Sequence, residues 1–314
     1  MPKTRVFVDT NAIFPCMSAG EWNRLCGYYA VETVETIVDE TQRGDVGRRD
    51  YVVVDEKALR NTTRDSTSSD ATVRHCKSTS NPHLKQPLLL LSGLLCDEIL
   101  WADIPERLGD VAQARVMSFR GFSSISAMAD HVLAAAPERF AVAGHSMGGR
   151  VALEVIRRAP RRVSGLALLN TGIHAVRDGE PQSRGLLLRL AYQHGMSALA
   201  AEWLPSMMAG GSRTQELMPC LKAMVERSTP DSYAGQINAL LHRPEALSVL
   251  PTIGVPTLLL SGSEDAWAPV SQHQTMRRRI PHATVFEIHG AGHMAPIERP
   301  DAVAVAMREW LEAL

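Results

Sequence analysis

A serine flanked by glycines lies in the middle of the chain, where an apolar segment gives way to a helical one. Residues Gly144–Gly148 read G-H-S-M-G, the preceding Arg139–Ala143 predicts a strand, and Arg150–Arg158 predicts a helix. A sharp turn from strand to helix lifts a serine hydroxyl above a sheet edge, and the helix N-terminus supplies N–H groups that stabilise an oxyanion. The alternative is a tight turn with an incidental serine. We predict that Ser146 is a nucleophile.

A serine nucleophile needs a base, and the sequence offers eleven histidines. His293 stands out because it follows a Gly-Ala-Gly tripeptide just after the last predicted strand, Ala283–Ile288. The small residues leave room for a loop that brings an imidazole over the nucleophile. His289, at the end of that strand, and His282, before it, are the alternatives. We predict His293 as the base.

The base needs a carboxylate to orient it, and two adjacent candidates follow another apolar strand. The segment L-L-L-S-G-S-E-D ends in Glu264 and Asp265. The alternative for this Glu-Asp pair is a solvated acidic loop without a catalytic role. Asp265 is the preferred candidate and Glu264 the alternative, and the order Ser146, Asp265, His293 along the chain is the order that triads built on a G-x-S-x-G turn follow.

Two backbone N–H groups are needed to hold an oxyanion. Met147 N–H, directly after the nucleophile, is the first candidate. The second should come from the loop after the first strand of this region, where Ser92–Leu95 reads S-G-L-L, and Leu94 N–H is the preferred donor. This assignment depends on position alone, and the alternative is an ordinary turn at a strand end.

Apolar runs alternate with helical patterns from Pro87 onward. This alternation predicts an α/β protein with a mostly parallel sheet covered on both faces, in which ligands bind at the carboxyl ends of the strands. Helices are expected over Ser124–Ala136 and from Pro300 almost to Leu314. The predicted strands are Leu88–Leu91, Arg115–Phe119, Arg139–Ala143, Val163–Leu169, Pro256–Ser261 and Ala283–Ile288.

Residues 87–314 resemble an α/β-hydrolase of the single-domain, esterase-like group. The segments that carry the resemblance are Leu89–Leu94, Gly144–Gly149, Gly262–Asp265 and Gly292-His293 with Glu298–Pro300. The resemblance implies an α/β-hydrolase fold with a helical cap over the serine. Ser92 departs from the histidine that many relatives have before the glycine, and the family's usual first strands are not visible before Leu88.

The cap implied by the resemblance covers about residues 174–250, between the fourth and fifth strands. Short amphipathic helices are expected at Gly185–Leu190, Met196–Leu204, Pro219–Val225 and Ile237–Leu241. Five methionines suggest an adaptable apolar pocket, although packing between the cap helices explains them equally well; these are Met196, Met207, Met208, Met218 and Met224. We therefore expect a substrate with an apolar acyl group or a small ester.

The first 86 residues differ in character from the rest. Ten of the 21 residues from Asn61 to Asn81 are Ser or Thr, so residues 61–86 are predicted to be a flexible linker. Residues 1–60 weakly resemble a truncated PIN-type nuclease domain, in which Asp9 and a helical glutamate such as Glu35 would help to bind a divalent cation. A remnant without a working metal site explains this short stretch better, and a metal-dependent ribonuclease is the alternative.

Composition narrows the class of protein. The 314 residues carry 33 Lys and Arg against 34 Asp and Glu, which gives no support to nucleic-acid binding or to a basic membrane-docking patch. The five cysteines form no disulfide or zinc pattern, and no apolar run approaches the length of a membrane span. We expect a cytoplasmic protein that binds neither nucleic acid nor membrane.

These features predict a serine hydrolase that cleaves a small carboxylic ester or thioester through an acyl-enzyme, with no cofactor and no metal. A carbon–carbon bond hydrolase or a cofactor-free haloperoxidase of the same fold would carry the same triad. A ligand-binding module of this fold without catalysis is the alternative from another class. The oligomeric state stays open.

Overall fold

Six apolar segments form one parallel β-sheet in the computed structural model, which describes residues 85–314. The strand order is β2-β1-β3-β4-β5-β6, and every neighbouring pair is parallel. The strands are β1 Gln86–Leu91, β2 Ala112–Met117, β3 Phe140–His145, β4 Val163–Leu169, β5 Thr257–Gly262 and β6 Thr284–Ile288. The predicted parallel α/β fold is confirmed. The predictions for residues 1–60 and for most of the linker lie outside the described residues.

Burial differs between the central strands and the edge strand β2. Strands β3, β4 and β5 are buried at every position, as continuous apolar runs require in the middle of a parallel sheet. The edge strand β2 is buried only at its two ends, with exposed and half-buried positions between them, and begins at Ala112, three residues before the prediction. Pairing with β1 sets this start, because Gln86 lies opposite Ala112 and Leu91 opposite Met117.

Helices cover the sheet in two groups. Helix α3 packs on α4, which also contacts β1, β3 and β4, whereas α10 packs on α2, β5 and β6. The helices are α1 Glu98–Trp101, α2 Ile104–Arg107, α3 Ile125–Ala135, α4 Met147–Arg158, α5 Glu180–Trp203, α6 Ser212–Glu226, α7 Pro230–Leu241, α8 Val270–Arg277, α9 Ala295–Glu298 and α10 Pro300–Glu312. No helix within residues 85–314 is both long and apolar enough to cross a membrane.

Helices α5, α6 and α7 lie between β4 and β5 and are longer than the short segments predicted there. Helix α5 spans two of the predicted segments, and Gly195 interrupts it with φ 81° and ψ 173° near the gap between them. Helix α6 begins at Ser212 and continues through Pro219, which was expected to start a helix. Pro230 does occupy a first helical turn, in α7, where the side chain of Thr229 caps the helix.

Candidate active site

Ser146 lies alone between the last residue of β3 and the first residue of α4. Its backbone has φ 52° and ψ −115°, in the positive-φ region that a residue with a side chain rarely adopts. Two hydrogen bonds hold this conformation: Ser146 N–H donates to the carbonyl of Leu169 at 3.0 Å, and the hydroxyl of Thr171 donates to the carbonyl of Ser146 at 2.7 Å. The end of β4 therefore supports the strained turn that exposes the serine hydroxyl.

The glycines on both sides of Ser146 allow a close crossing of backbone segments. A Cβ atom on Gly148 would collide with the carbonyl oxygen of Leu91 in β1, and one on Gly144 would collide with the carbonyl of Gly148. These obstacles are backbone atoms, which cannot move aside as a flexible side chain can. The G-x-S-x-G pattern is thus a packing requirement of α4 against β1 as well as a mark of the turn.

Replacing Gly148 by alanine should destabilise the fold strongly. We expect Gly148→Ala to lower the free energy of unfolding by about 3 kcal/mol or more, which corresponds to a melting temperature roughly 6–12 °C lower. Gly254 is the matched control, because a Cβ atom there meets nothing within 4 Å. Thermal unfolding of both variants beside the wild type tests this, and equal melting temperatures for the two variants would contradict the packing argument.

The three residues predicted as a catalytic triad meet at the carboxyl edge of the sheet. His293 Nε2 lies 2.9 Å from Ser146 Oγ, and His293 Nδ1 lies 2.9 Å from Asp265 Oδ2 and 3.0 Å from Oδ1. Asp265 follows β5, His293 follows β6, and both side chains are buried. A carboxylate accepts, so Nδ1 of His293 carries the proton and Nε2 is left to accept the hydroxyl proton of Ser146.

The carboxylate of Asp265 is held in its ionised form. Burial alone would raise its pKa, but the hydrogen bond and charge of His293, the N–H group of Ala268 and the amide of Asn170 together bring the pKa well below its usual range. Trp267 N–H also donates to Oδ1 at 2.8 Å. Asp265 is therefore a fixed, charged acceptor for the imidazole.

The structure places the alternative residues away from Ser146. His282 and His289 are exposed, and the ring of His282 lies 2.9 Å from the carbonyl of Val255. Glu264 is also exposed, and its carboxylate accepts a hydrogen bond from Gly210 N–H at 3.3 Å. Of the two adjacent carboxylates, Asp265 is the one that contacts His293.

The two residues expected to supply the oxyanion donors line the same cavity as Ser146. Leu94 and Met147 both line the cavity above Ser146, and neither backbone N–H has an acceptor within the described residues. The next N–H, that of Leu95, donates to Gln236 Oε1 at 2.9 Å, and Gln236 Nε2 donates to the carbonyl of Phe119 at 2.9 Å. A buried glutamine of α7 thus braces the loop that presents Leu94.

Ser92 has its own role in the same loop. Its hydroxyl accepts a hydrogen bond from Trp101 Nε1 at 3.2 Å and lies 3.4 Å from the carbonyl of Asp97. The departure from the usual histidine therefore leaves a buried polar side chain that ties the loop to α1.

Several supporting residues were missed by the sequence reasoning. Asn170 Nδ2 donates to Asp265 Oδ2 at 2.9 Å and to the carbonyl of Gly292 at 3.2 Å. His145 Nε2 lies 2.7 Å from the carbonyl of His293, so it donates there and fixes the backbone of the base. Asn170 directly follows β4, and a polar residue at the carboxyl end of a parallel strand was the signal that could have found it.

Glu298 braces the loop that carries His293. Its carboxylate accepts hydrogen bonds from Gly292 N–H at 3.0 Å, Met294 N–H at 3.1 Å and Ala209 N–H at 2.8 Å. Burial nevertheless raises its pKa, although these hydrogen bonds oppose the effect. One buried side chain therefore joins the loop of the base to the segment between α5 and α6.

Glu298→Gln should impair catalysis through the position of His293. The amide oxygen can take the place of Oε1, which accepts from Gly292 and Met294 N–H, but the NH₂ group then faces Ala209 N–H. The connection between the loop of His293 and the segment before α6 is lost, so we expect kcat to fall about tenfold with KM nearly unchanged. Glu309→Gln, an exposed position in α10, is the matched control. Steady-state kinetics on a model ester test this, and a change in KM alone would contradict a positioning role.

Two buried histidines should make the fold sensitive to acid. Burial, as the largest effect, lowers the pKa of His145 to about 3 and that of His273 to about 4. An unfolded histidine has a pKa of about 6.5, so between these values the unfolded chain binds more protons and stability falls as the pH falls. For His273 alone the loss reaches about 2 kcal/mol at pH 5.

We expect His273→Leu to unfold with a weaker pH dependence than the wild type. Between pH 6.5 and 5, the slope of the unfolding free energy should decrease by about 1 kcal/mol per pH unit, whatever the variant's absolute stability. Urea unfolding at half-unit steps measures it, with pH 7.5–8.5 as the range where the two slopes should agree. Parallel curves below pH 6.5 would contradict the expectation.

A cavity of about 100 Å³ lies over Ser146 and joins a larger one of about 380 Å³. Leu94, Trp203 and Trp267 line both. Of the five cap methionines that the sequence suggested for the pocket, Met207 lines the inner cavity, whereas Met196, Met208 and Met224 are buried in packing and Met218 packs half-buried against the core. Three arginines and one glutamate also line the inner cavity, a charged wall that no local pattern predicted: Arg150, Arg184, Arg243 and Glu180.

Comparison with known proteins gives consistent results. A pimeloyl-[acyl-carrier protein] methyl ester esterase of Aromatoleum aromaticum is 24% identical over 242 residues, which are 71% of this chain and 96% of that protein. A thermophilic esterase from Thermogutta terrifontis has a TM-score of 0.65 at 27% identity, covering 73% of this chain and 90% of that one. An enol-lactonase from Burkholderia xenovorans LB400 has a TM-score of 0.67 at 23% identity, covering 73% and 92%.

The family assignment rests on a match of wide extent. The family model described as "Alpha/beta hydrolase family" matches residues 88–306. The match runs from β1 into α10 and covers well over half of the chain. Together with the esterase relatives, the match supports an enzyme of the carboxylic ester hydrolase type. The chain belongs to the alpha/beta hydrolase family.

Proposed function

We propose that this protein is a serine hydrolase that cleaves a small carboxylic ester or thioester through an acyl-enzyme. The observation that carries the proposal is the continuous hydrogen-bonded chain from Ser146 Oγ through the His293 ring to the Asp265 carboxylate. Its open end faces a cavity that Leu94 and Met147 also line, and neither of their backbone N–H groups has an acceptor among residues 85–314. Nucleophile, base, orienting carboxylate and oxyanion donors therefore share one site.

In the first half of the proposed reaction, Ser146 Oγ attacks the substrate carbonyl while His293 Nε2 takes the hydroxyl proton. The carbonyl oxygen becomes an oxyanion, which accepts hydrogen bonds from Leu94 N–H and Met147 N–H. His293 then gives its proton to the leaving alcohol or thiol, and an acyl-enzyme remains on Ser146. Asp265 stays ionised throughout and stabilises the imidazolium while it exists.

In the second half, a water molecule takes the place of the leaving group. His293 removes a proton from this water, the hydroxide attacks the acyl carbonyl, and the same N–H groups hold the second oxyanion. Collapse returns the proton to Ser146 Oγ and releases the carboxylic acid. No cofactor enters either half of the reaction.

The relatives suggest the kind of bond that is cleaved. Their names include a methyl ester esterase and an enol-lactonase, which supports an ester or a cyclic ester. The apolar side chains of Leu94, Trp203 and Met207 in the cavity wall would suit an apolar part of the acyl group. The substrate that we propose is an ester with a short aliphatic chain next to the reacting carbonyl.

The test combines turnover with covalent labelling of the full chain. We expect hydrolysis of methyl and p-nitrophenyl esters with two to eight acyl carbons, and a fluorophosphonate adduct that peptide mass spectrometry assigns to Ser146. Product analysis must show the free acid and the alcohol, since a carbon–carbon bond hydrolase or a haloperoxidase would give other products. Labelling elsewhere, or no labelling and no turnover, would reject the proposal in favour of a binding module.

A further inference from the structure

The inner cavity carries more positive charge than its apolar side chains would lead one to expect. Arg150, Arg184 and Arg243 line it, and Glu180 is the one carboxylate in its wall within residues 85–314. Their formal charges leave a surplus of two positive charges beside Ser146. The elements that supply them, α4, α5 and the segment after α7, are far apart in the chain.

Two of these arginines are already paired. Arg243 donates to Glu180 through both terminal guanidinium nitrogens, with Nη1 at 2.7 Å from Oε1 and Nη2 at 2.8 Å from Oε2. Only 2% of the Arg243 side chain is exposed. Arg184 Nε donates to Glu180 Oε1 at 2.9 Å. A single carboxylate thus satisfies two guanidinium groups and places them at the cavity.

Arg150 is different because it forms no salt bridge with the described residues. It lies one helical turn beyond Ser146 on α4, and its Nη2 donates to the carbonyl of His174 at 3.0 Å. Burial, followed by the charge of Arg243, lowers the pKa of Arg150 to about 9, so the guanidinium is still charged at neutral pH. A neighbouring anion would relieve both the desolvation and the repulsion.

His174 does not supply that anion and adds no further positive charge. Burial, as the largest effect, and the charges of Arg150, Arg177 and Arg243 lower the pKa of its ring, which keeps it neutral at neutral pH. Of the three arginines that line the cavity, Arg150 is therefore the one that has no carboxylate partner among residues 85–314.

We propose that the cavity recognises a free carboxylate on the substrate, bound by Arg150 beside the Arg243–Glu180–Arg184 cluster. The inference rests on the proposed function and narrows its substrate to an ester or lactone that also carries an acid group. A guanidinium presents a planar fork of N–H donors that matches a carboxylate. The apolar wall then contacts the chain between the acid group and the reacting carbonyl.

The test compares matched esters with and without the charge. Monomethyl adipate and dimethyl adipate differ by the carboxylate on the acyl side, and 6-acetoxyhexanoate and hexyl acetate differ by it on the alcohol side. We expect the full-length protein to prefer the charged member of at least one pair by tenfold or more in kcat/KM. The pair that shows the preference identifies the side of the ester on which the acid group lies.

Substitutions then assign the preference to Arg150. In Arg150→Gln the ratio of charged to neutral kcat/KM should fall at least fivefold, and Arg150→Lys should give an intermediate ratio. Arg157→Gln, the same change farther along α4 and outside this cavity, should keep the wild-type ratio. Each ratio is measured on one preparation, so a partly unfolded variant does not distort it. No preference in either pair, or an unchanged ratio in Arg150→Gln, would overturn the inference.

A binding measurement separates this inference from the proposed function. Adipate should raise the melting temperature of the wild type more than 1,6-hexanediol does, and Arg150→Gln should lose the difference. Hydrolysis of neutral esters without this shift leaves the function standing and rejects the acid subsite. The melting-temperature shift without any ester hydrolysis rejects the proposed function and leaves the carboxylate-binding site standing. A larger shift with inorganic phosphate than with adipate would overturn the assignment to a carboxylate.

Discussion

Ser146→Ala is expected to lower kcat on a short-chain methyl ester by at least about 10⁴-fold, with KM changed little. Alanine removes the only atom of the proposed triad that forms a bond to the substrate. The Leu94 and Met147 N–H groups and the cavity wall remain, so substrate should still bind. Any residual turnover would come from oxyanion stabilisation of direct attack by water.

The control for this substitution is a serine of similar chemistry outside the site. Ser197 is exposed on α5, and Ser197→Ala should match the wild type in kcat and in melting temperature. Ser146→Ala itself should keep or slightly raise the melting temperature. The strained turn is held by hydrogen bonds to the N–H and carbonyl groups of Ser146, and not by the Ser146 hydroxyl. Turnover within tenfold of the wild type would show that another group attacks the ester.

Local signals were sufficient for the sheet and for the positions of the three proposed catalytic residues. Long apolar runs predicted β4 with its observed bounds and β3 and β5 to within two residues, because strands buried on both faces need apolar residues at every position. A parallel sheet brings its carboxyl ends to one edge, so residues that follow β3, β5 and β6 had to lie close together. That rule brings Ser146, Asp265 and His293 near one another, while their roles stay a prediction.

The charged wall lay beyond the reach of this kind of reasoning. Arg150, Arg184 and Arg243 are separated by more than thirty residues along the chain at each step and meet only where α4, α5 and the segment after α7 line one cavity. In the sequence each is an arginine within or just after a helical segment, where solvent exposure is the usual state. The apolar pocket inferred from methionines was incomplete for the same reason, since long-range packing decides which side chains reach a cavity.

The helices over the site also contribute to its precision. Gln236 of α7 holds Leu95 beside the expected oxyanion donor, and Glu298 joins the loop of His293 to Ala209. His293 N–H itself donates to the carbonyl of Met207 at 2.8 Å. Movements of the segment between α5 and α6 would therefore reach both His293 and the cavity wall.

Asp265→Asn is the second substitution with a large expected effect, a fall in kcat/KM of about 10⁴-fold. Asp265 Oδ1 accepts from the N–H groups of Trp267 at 2.8 Å and Ala268 at 2.9 Å, so the amide oxygen of an asparagine would take this place. The NH₂ group then occupies the position of Oδ2, where it faces His293 Nδ1. An NH₂ group there favours the tautomer in which Nδ1 accepts and Nε2 carries the ring proton, although the amide oxygen in the Oδ1 position stays 3.0 Å from Nδ1.

This reversed tautomer explains why the loss should be so large for so small a change. With a proton on Nε2, His293 cannot accept the hydroxyl proton of Ser146, although all three side chains keep their places. Glu264→Gln removes the same charge one residue away and should stay within about twofold of the wild type, since Glu264 is exposed and contacts Gly210 N–H instead. Measuring kcat/KM of both variants on one ester tests which carboxylate orients His293, and melting temperatures check that the variants are folded. A loss confined to Glu264→Gln would reassign the orienting carboxylate, and a loss below tenfold in Asp265→Asn would show that His293 works without one.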